Sequence, residues 1–329
     1  MSRISIRRRQ LLLALTALGL ARVAPAQVPA RVGWLSLHST GMYNEVTSRG
    51  FVKGLREAGY EEGRNLVFVK RSADGNVREL GALAHEIVQA RVDVIFAPAK
   101  PMVDAAWYAS IKIPTVIATV TDPVAVQYAD SLARPGKHIT GVTTASAELI
   151  GKRLQLLAEL VPGLKRVGTF IDEGLLASCE EEMLLMDKAA AKLGLSIVRL
   201  SVSAGHVDYE GAMKQALSAR VQAVITVPMT TNLDITDKVA VYASKLRIPF
   251  IHDVPQFAGV GLASYGPDFE DIFRRAGHYV ARILKGGKPA EMAIEEPRQF
   301  KLIVNLKAAK QLGIVVPQSV LLRADEVIQ

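Results

Sequence analysis

The chain has 329 residues, half of them hydrophobic and 22% charged, and one cysteine. That composition excludes a disordered or low-complexity protein, suits about two domains and leaves no intrachain disulfide. The net charge of +8 points at first to an anionic partner, but Arg3, Arg7, Arg8, Arg9 and Arg22 supply five of those charges with no acid in the first 26 residues, and without them the net charge is +3.

Residues 1–26 join this positive segment to an apolar run over 11–20 and to Ala24-Pro25-Ala26 before Gln27, which predicts a cleavable signal peptide and a periplasmic destination. The apolar run is well short of the ~20 residues that a spanning helix needs. Arg8-Arg9-Gln10-Leu11-Leu12 is close to a twin-arginine signal but carries Leu where Phe is usual, so Sec and Tat export both stay open. Cys179 lies far from the cleavage site, so no lipid-anchor cysteine follows the leader.

Arg31-Val32-Gly33-Trp34-Leu35-Ser36-Leu37 is a short apolar run closed by polar residues, the pattern of a buried parallel strand. A loop at His38-Ser39-Thr40-Gly41 follows, then a helix carrying Phe51, Leu55 and Ala58 that Gly59 stops. Residues 66–70 predict a second strand, and Leu80, Leu83, Ala84, Ile87 and Val88 one side of a second helix. Residues 90–122 then read as strand, helix and strand, ending at Thr121-Asp122-Pro123. A short helix is expected over 127–133, a strand over 139–142 and a helix with Leu149, Leu154, Leu157 and Leu160 before Pro162-Gly163.

From there the pattern restarts. Arg166-Val167-Gly168-Thr169-Phe170-Ile171-Asp172 repeats the first strand 135 residues on, from 31 to 166, and Ile113-Pro114 returns at the same offset as Ile248-Pro249. Ala90-Arg91-Val92-Asp93-Val94-Ile95 returns as Ala219-Arg220-Val221-Gln222-Ala223-Val224-Ile225. Strands alternating with helices of this length imply parallel sheets covered on both faces. The predicted fold is therefore α/β, with two similar Rossmann-like lobes. Lobe one takes 27–143 plus about 267–291, and lobe two takes 144–266 plus about 292–329, so the chain crosses three times, near 140–144, 264–267 and 292–297.

Ligands of open parallel sheets sit beyond the carboxyl ends of the strands, which selects the candidates. Lobe one offers Ser36, His38 and Ser39, then Pro98 and Lys100, then Thr121 and Asp122; lobe two offers Asp172, Met229 and Asp253, with Ser264 and Tyr265 near a crossing. Hydroxyls and backbone N–H groups suit a carboxylate, the aspartates suit an ammonium, and Tyr265 and Met229 an apolar wall. An amino acid or related carboxylate is the expected solute. The competing role for each aspartate is that of helix cap or turn former, above all for Asp122 before Pro123.

Other chemistries find little support. No Gly-x-Gly-x-x-Gly follows the first strand, and Ile150-Gly151-Lys152-Arg153 lacks the upstream glycine and the Ser/Thr of a phosphate loop. There is no Gly-x-Ser-x-Gly elbow, Cys179 stands beside Glu180-Glu181-Glu182, and the six histidines are dispersed without metal-ligand spacing. Neither an enzyme nor a cofactor is expected. The scattered Lys and Arg lack an aromatic-interleaved stripe, which removes the case for nucleic acid.

Nearly the whole chain beyond the leader resembles the ABC transporter substrate-binding protein family that includes tryptophan- and tyrosine-type periplasmic binding proteins. The matching pieces are Gly54-Leu55-Arg56-Glu57-Ala58-Gly59-Tyr60, Val92-Asp93-Val94-Ile95, Asp122-Pro123-Val124 and Ser131-Leu132-Ala133-Arg134-Pro135-Gly136 with Ile139-Thr140-Gly141. Further on come Lys152-Arg153-Leu154, Ser264-Tyr265-Gly266-Pro267, Ile283-Leu284-Lys285-Gly286 and Arg323-Ala324-Asp325-Glu326-Val327-Ile328. The resemblance implies a type I periplasmic-binding fold, a hinged, monomeric two-lobe receptor that closes on a small solute and delivers it to an ABC permease in the inner membrane. The chain departs from the family at Ala97-Pro98-Ala99-Lys100-Pro101, where a Thr/Ser-Gly-Thr-Pro-like run is usual; Lys100 there either selects a more acidic ligand or points to solvent. Two alternatives remain: a solute sensor or partner-docking protein feeding a membrane receptor, which would share all of these features, and a secreted α/β enzyme, which would need a nucleophile and a base in the cleft.

Overall fold

The computed structural model describes residues 28–39, 42–144, 146–172, 176, 180–202, 208–226, 243–255, 259 and 261–329. The expected signal peptide, 1–26, therefore lies outside the described residues. Two sheets organise the chain. The first is five parallel strands, β1 (Ala30–Ser36), β2 (Leu66–Ser72), β3 (Val94–Phe96), β4 (Thr115–Val120) and β5 (Ile139–Thr143), in the order β2-β1-β3-β4-β5. The second contains β6 (Arg166–Asp172), β7 (Ser196–Val202), β8 (Ala223–Ile225), β9 (Phe250–His252), β10 (Ala263–Pro267), β11 (Phe300–Asn305) and β12 (Glu326–Ile328). Its order is β12-β11-β10-β9-β8-β6-β7, so β7-β6-β8-β9-β10 repeats the order of the first sheet, and only β10 and β11 pair antiparallel.

The internal repeat extends to single hydrogen bonds. Asp93 N donates to Arg31 O, and Gln222 N to Arg166 O; Ile95 N donates to Pro114 O, and Val224 N to Pro249 O. Arg91 and Arg220 each turn the chain out of a helix into a strand with φ of 53°, the left-handed geometry that most side chains avoid. Gly59 and Gly194, at φ 92° and 66°, end the first helix of each copy without that cost.

Alternation along each strand builds the layers. In the first sheet Val32, Trp34, Val94, Phe96, Val116 and Ala118 face one way, toward α1 (Met42–Glu57) and α7 (Phe269–Leu284). Trp34 meets Phe51 and Phe96 edge-on, at 4.9 and 5.6 Å. Leu35, Ile95 and Ile117 face the other way, toward α2 (Leu80–Gln89) and α3 (Lys100–Ala109). In the second sheet, α4 (Ser146–Leu160) and α5 (Glu180–Lys192) cover the face of Ile225, Ile251 and Ala263, while α6 (Tyr209–Ser218) covers Phe170, Val224 and Phe250. The α2/α3 layer and the α4/α5 layer belong to one continuous apolar cluster.

Helices α1 and α7 touch backbone to backbone. A Cβ on Gly54 would lie 1.9 Å from Arg274 O, and one on Gly277 would lie 2.4 Å from Phe51 O. Helix α7 thus packs on the first sheet although its neighbours in sequence, β10 and β11, belong to the second. The chain passes between the sheets three times: after β5, after β10, and between α7 and β11. The last connection runs beside β5, where Thr140 Oγ1 donates to Met292 O at 2.6 Å and Thr143 N to Glu295 O at 2.9 Å.

Residues 127–133 do not form the expected short helix. Gln127 has φ of 61°, and the segment is a series of turns in which Tyr128 and Ala129 donate to Pro123 O. Tyr128, Ala129 and Asp130 send their N–H groups to Pro123 O and Pro135 O rather than to carbonyls four residues back, so no helical ladder forms.

Candidate functional site

In an order of 2-1-3-4-5 the direction of strand addition reverses between the first and third strands, and a crevice opens beyond their carboxyl ends. Both sheets have this reversal, at β1/β3 and at β6/β8. The carboxyl ends of the two sheets are bridged directly: Thr121 Oγ1, just past β4, donates to Glu182 Oε1 of α5 at 2.5 Å, and Glu182 is only 9% exposed. A hydrogen bond to an ionised group in such surroundings is among the stronger ones.

On the first-lobe side most of the candidates are engaged. Ser36 Oγ donates to Arg71 O at 3.4 Å, and Ser39 Oγ to Asp74 Oδ1 at 2.7 Å. Hydrogen bonds from Ser39 and Ser72 hold the Asp74 carboxyl below the ordinary range. Burial pulls the His38 pKa down against the opposing charge of Asp74. Pro98 is buried, its carbonyl accepting from Ala118 N and Thr119 N.

Lys100 is met within its own helix by Asp104 at 2.8 Å and lies over the Tyr128 ring, whose hydroxyl also donates to Asp104. Asp122 takes the turn-forming role, its Oδ1 accepting from Val124 N and Ala125 N, both at 2.9 Å.

On the second-lobe side Asp172 ends β6, paired with Val202, and Met229 lies outside the described residues. Asp253 and Ser264 are fully buried. Asp253 Oδ1 accepts from Thr226 Oγ1 at 2.6 Å, while its Oδ2 and the Ser264 hydroxyl have no hydrogen-bond partner among the described residues. His252 turns inward, its Nδ1 accepting from Val254 N at 2.8 Å. Tyr265 is half-buried within β10, the strand after which the chain passes to the first sheet.

A further residue joins this group. Arg153 of α4 is 1% exposed, yet its Nε and Nη2 have no hydrogen-bond partner among the described residues. Ile251 and Ala263 pack in the same cluster as Leu154 and Leu157, and Tyr265, two residues beyond Ala263 in β10, packs against it as well. Burial pulls the Arg153 pKa down, and the charges of Asp253 and Tyr265 oppose the shift. The sequence carried a signal for it: at four-residue spacing, Arg153 interrupts an apolar stripe between Leu149 and Leu157.

Gly266 lets two strands' ends meet here. A Cβ at this position would stand 1.8 Å from Asp253 O. The arrangement leaves buried donors and acceptors unfilled among the described residues. Among the described residues no group of three or more His, Cys, Asp or Glu is placed to hold a metal ion, and no helix is long and apolar enough to cross a membrane.

Residues 37–328 match the family described as ABC transporter substrate binding protein. A "Tyrosine-binding protein" of Clostridioides difficile is 28% identical over 271 residues, covering 81% of this chain and 76% of the relative. A conserved domain protein from Vibrio cholerae is similar in structure, with a TM-score of 0.83, 29% identity and coverage of 91% and 99%. The ABC domain from Streptococcus pneumonia in complex with L-Trp shares the fold, with a TM-score of 0.80, 23% identity and coverage of 91% and 100%. The two repeated parallel sheets are those of the type I periplasmic-binding fold. With the match running from just after β1 to the last strand, the chain belongs to the ABC transporter substrate-binding protein family.

Proposed function

We propose that this protein is the solute-binding subunit of an ABC importer and that it holds an aromatic amino acid in the cleft between its lobes. The observation that carries the reading is the Thr121–Glu182 hydrogen bond, which ties the carboxyl ends of the two sheets together as closure on a solute would. The relative named for tyrosine and the structural neighbour holding L-Trp support the aromatic class.

In this reading residues 1–26 are removed on export to the periplasm. Lobe one, 27–143 plus about 267–291, rocks against lobe two, 144–266 plus about 292–329, about the three connections. Asp253 receives the ammonium, Tyr265, Pro98 and Met229 flank the side chain, and Ser36, His38, Ser39, Lys100, Asp122, Asp172 and Ser264 complete the surroundings. The protein works as a monomer, delivers the solute to an inner-membrane permease and carries out no turnover. Differential affinity for the closed state is all that the mechanism needs.

The test is a thermal-shift screen of the twenty amino acids and small carboxylates. A solute at 100 times its Kd adds about 2.7 kcal/mol to stability. Tyrosine or tryptophan should raise the melting temperature and leave the solute unchanged chemically. A flat response across the panel refutes the reading.

A further inference from the structure

Arg153 is the unexplained charge of the second lobe. An ionised group is costly to bury unless it is paired and hydrogen-bonded, and among the described residues this guanidinium has a hydrogen-bond partner for neither Nε nor Nη2. Those two nitrogens form one edge of the guanidinium plane, the edge that meets a carboxylate through two parallel hydrogen bonds. Near it lies Asp253, also fully buried, with Oδ1 occupied by Thr226 and Oδ2 without a hydrogen-bond partner among the described residues. No ion pair joins Arg153 to Asp253, although the carboxylate lies close enough to favour the charged guanidinium. Two buried groups close enough to feel each other's charge, each with a hydrogen-bonding edge unfilled among the described residues, match a molecule presenting carboxylate to the first and ammonium to the second. The Asp253 charge disfavours a second carboxylate in that place, and so disfavours a dicarboxylate.

We infer that Arg153 and Asp253 together recognise the backbone end of an α-amino acid, Arg153 gripping the α-carboxylate side-on and Asp253 Oδ2 taking the α-ammonium. The inference rests on the solute-binding reading and adds to it the residue that takes the carboxylate. It also gives the orientation: the zwitterionic end lies toward α4 and the carboxyl ends of β9 and β10, and the solute's side chain extends past Tyr265 toward the first lobe. Hydrogen bonds from the buried edge would account for keeping an arginine in the middle of the apolar stripe of α4.

The experiment is isothermal titration of the purified protein and of Arg153→Met, Arg153→Lys and Asp253→Asn. The probes are L-tyrosine, L-tryptophan, tyramine, which lacks the carboxylate, and 3-(4-hydroxyphenyl)propanoate, which lacks the ammonium. Arg153→Met should weaken the bound amino acid by at least about tenfold, and more than it weakens tyramine, since losing a charged bidentate contact acts only on a ligand that makes it. Arg153→Lys keeps the charge but not the paired edge and should also lose about tenfold or more. It serves in place of Arg153→Met if that variant shows no cooperative melting. Asp253→Asn should weaken the amino acid and spare the propanoate. An amino acid bound by the arginine variants within tenfold of wild type, or a loss from Arg153→Met equal for tyrosine and tyramine, overturns the inference and leaves the receptor reading standing. A wild-type protein that binds none of the twenty amino acids overturns both.

Discussion

Replacing Gly266 by alanine is a sharp probe of the second-lobe site, because the added atom has one place to go. The Cβ would meet Asp253 O at 1.8 Å and Pro255 Cδ at 3.5 Å. The first distance falls short of ordinary contact by roughly 1.6 Å, and both partners are backbone or ring atoms that no rotamer change can move aside. Gly266 is not among the glycines with left-handed φ, so the effect is contact rather than backbone strain. The chain at Asp253 must therefore retreat by more than an ångström, enough to break a hydrogen bond of normal length made by its carboxylate. Such a bond to a charged group contributes about 1.5–3 kcal/mol, so affinity for tyrosine or tryptophan should fall roughly 10- to 100-fold. Overpacking should also lower stability by about 1–3 kcal/mol. Titration calorimetry and thermal melting read the two effects, with Gly81→Ala as control. A Cβ at Gly81 meets nothing within 4 Å, and alanine there should stabilise α2 by about 0.5–1 kcal/mol. Wild-type affinity in Gly266→Ala would refute the placement of Asp253 in the site.

Three other perturbations act elsewhere. Thr121→Val removes the donor to Glu182 and should reduce solute affinity about tenfold; small-angle scattering of the unliganded variant should show no more compact a form than wild type. Gly54→Ala forces α1 off Arg274 O and should cost about 1–3 kcal/mol in chemical denaturation while leaving affinity at wild-type level. Burial pushes the Glu295 carboxyl up, but the hydrogen bond and charge of Arg275 outweigh it and hold it below the ordinary range. Its contribution to stability is therefore full above the unfolded value of about 4.3 and is lost as pH falls through the lower folded value. Glu295→Gln should flatten the melting temperature against pH across that acidic window, and an unchanged slope would show that the pair contributes nothing.

Much of the architecture could be read before the structure because the chain states it twice. The recurrence of Ala90-Arg91-Val92 as Ala219-Arg220-Val221 implied two sheets of one order, and the two arginines share φ of 53°. Local pattern was enough there, since each unit is set by neighbouring residues. It was not enough at 127–133, where composition suggested a helix and the N–H groups of Tyr128, Ala129 and Asp130 turned to Pro123 O and Pro135 O instead. The site was legible as a set of strand ends but not as a set of bonds. Asp122 and Lys100 stand where topology put them, yet one caps a turn and the other pairs with Asp104, both local arrangements that compete with ligand. Arg153 lies on a helix rather than a loop, so a search of strand ends passed over it, and the contact between Thr121 and Glu182 joins residues 61 apart that no spacing rule connects.

The most direct test of the central claim combines titration calorimetry with small-angle scattering on the wild-type protein, with and without L-tyrosine and L-tryptophan. The account predicts one saturable site for at least one of them and a decrease in radius of gyration on binding, as two lobes close on the solute. Absence of binding to either amino acid, or saturable binding with no change in dimensions relative to an unliganded protein that is open, would contradict it.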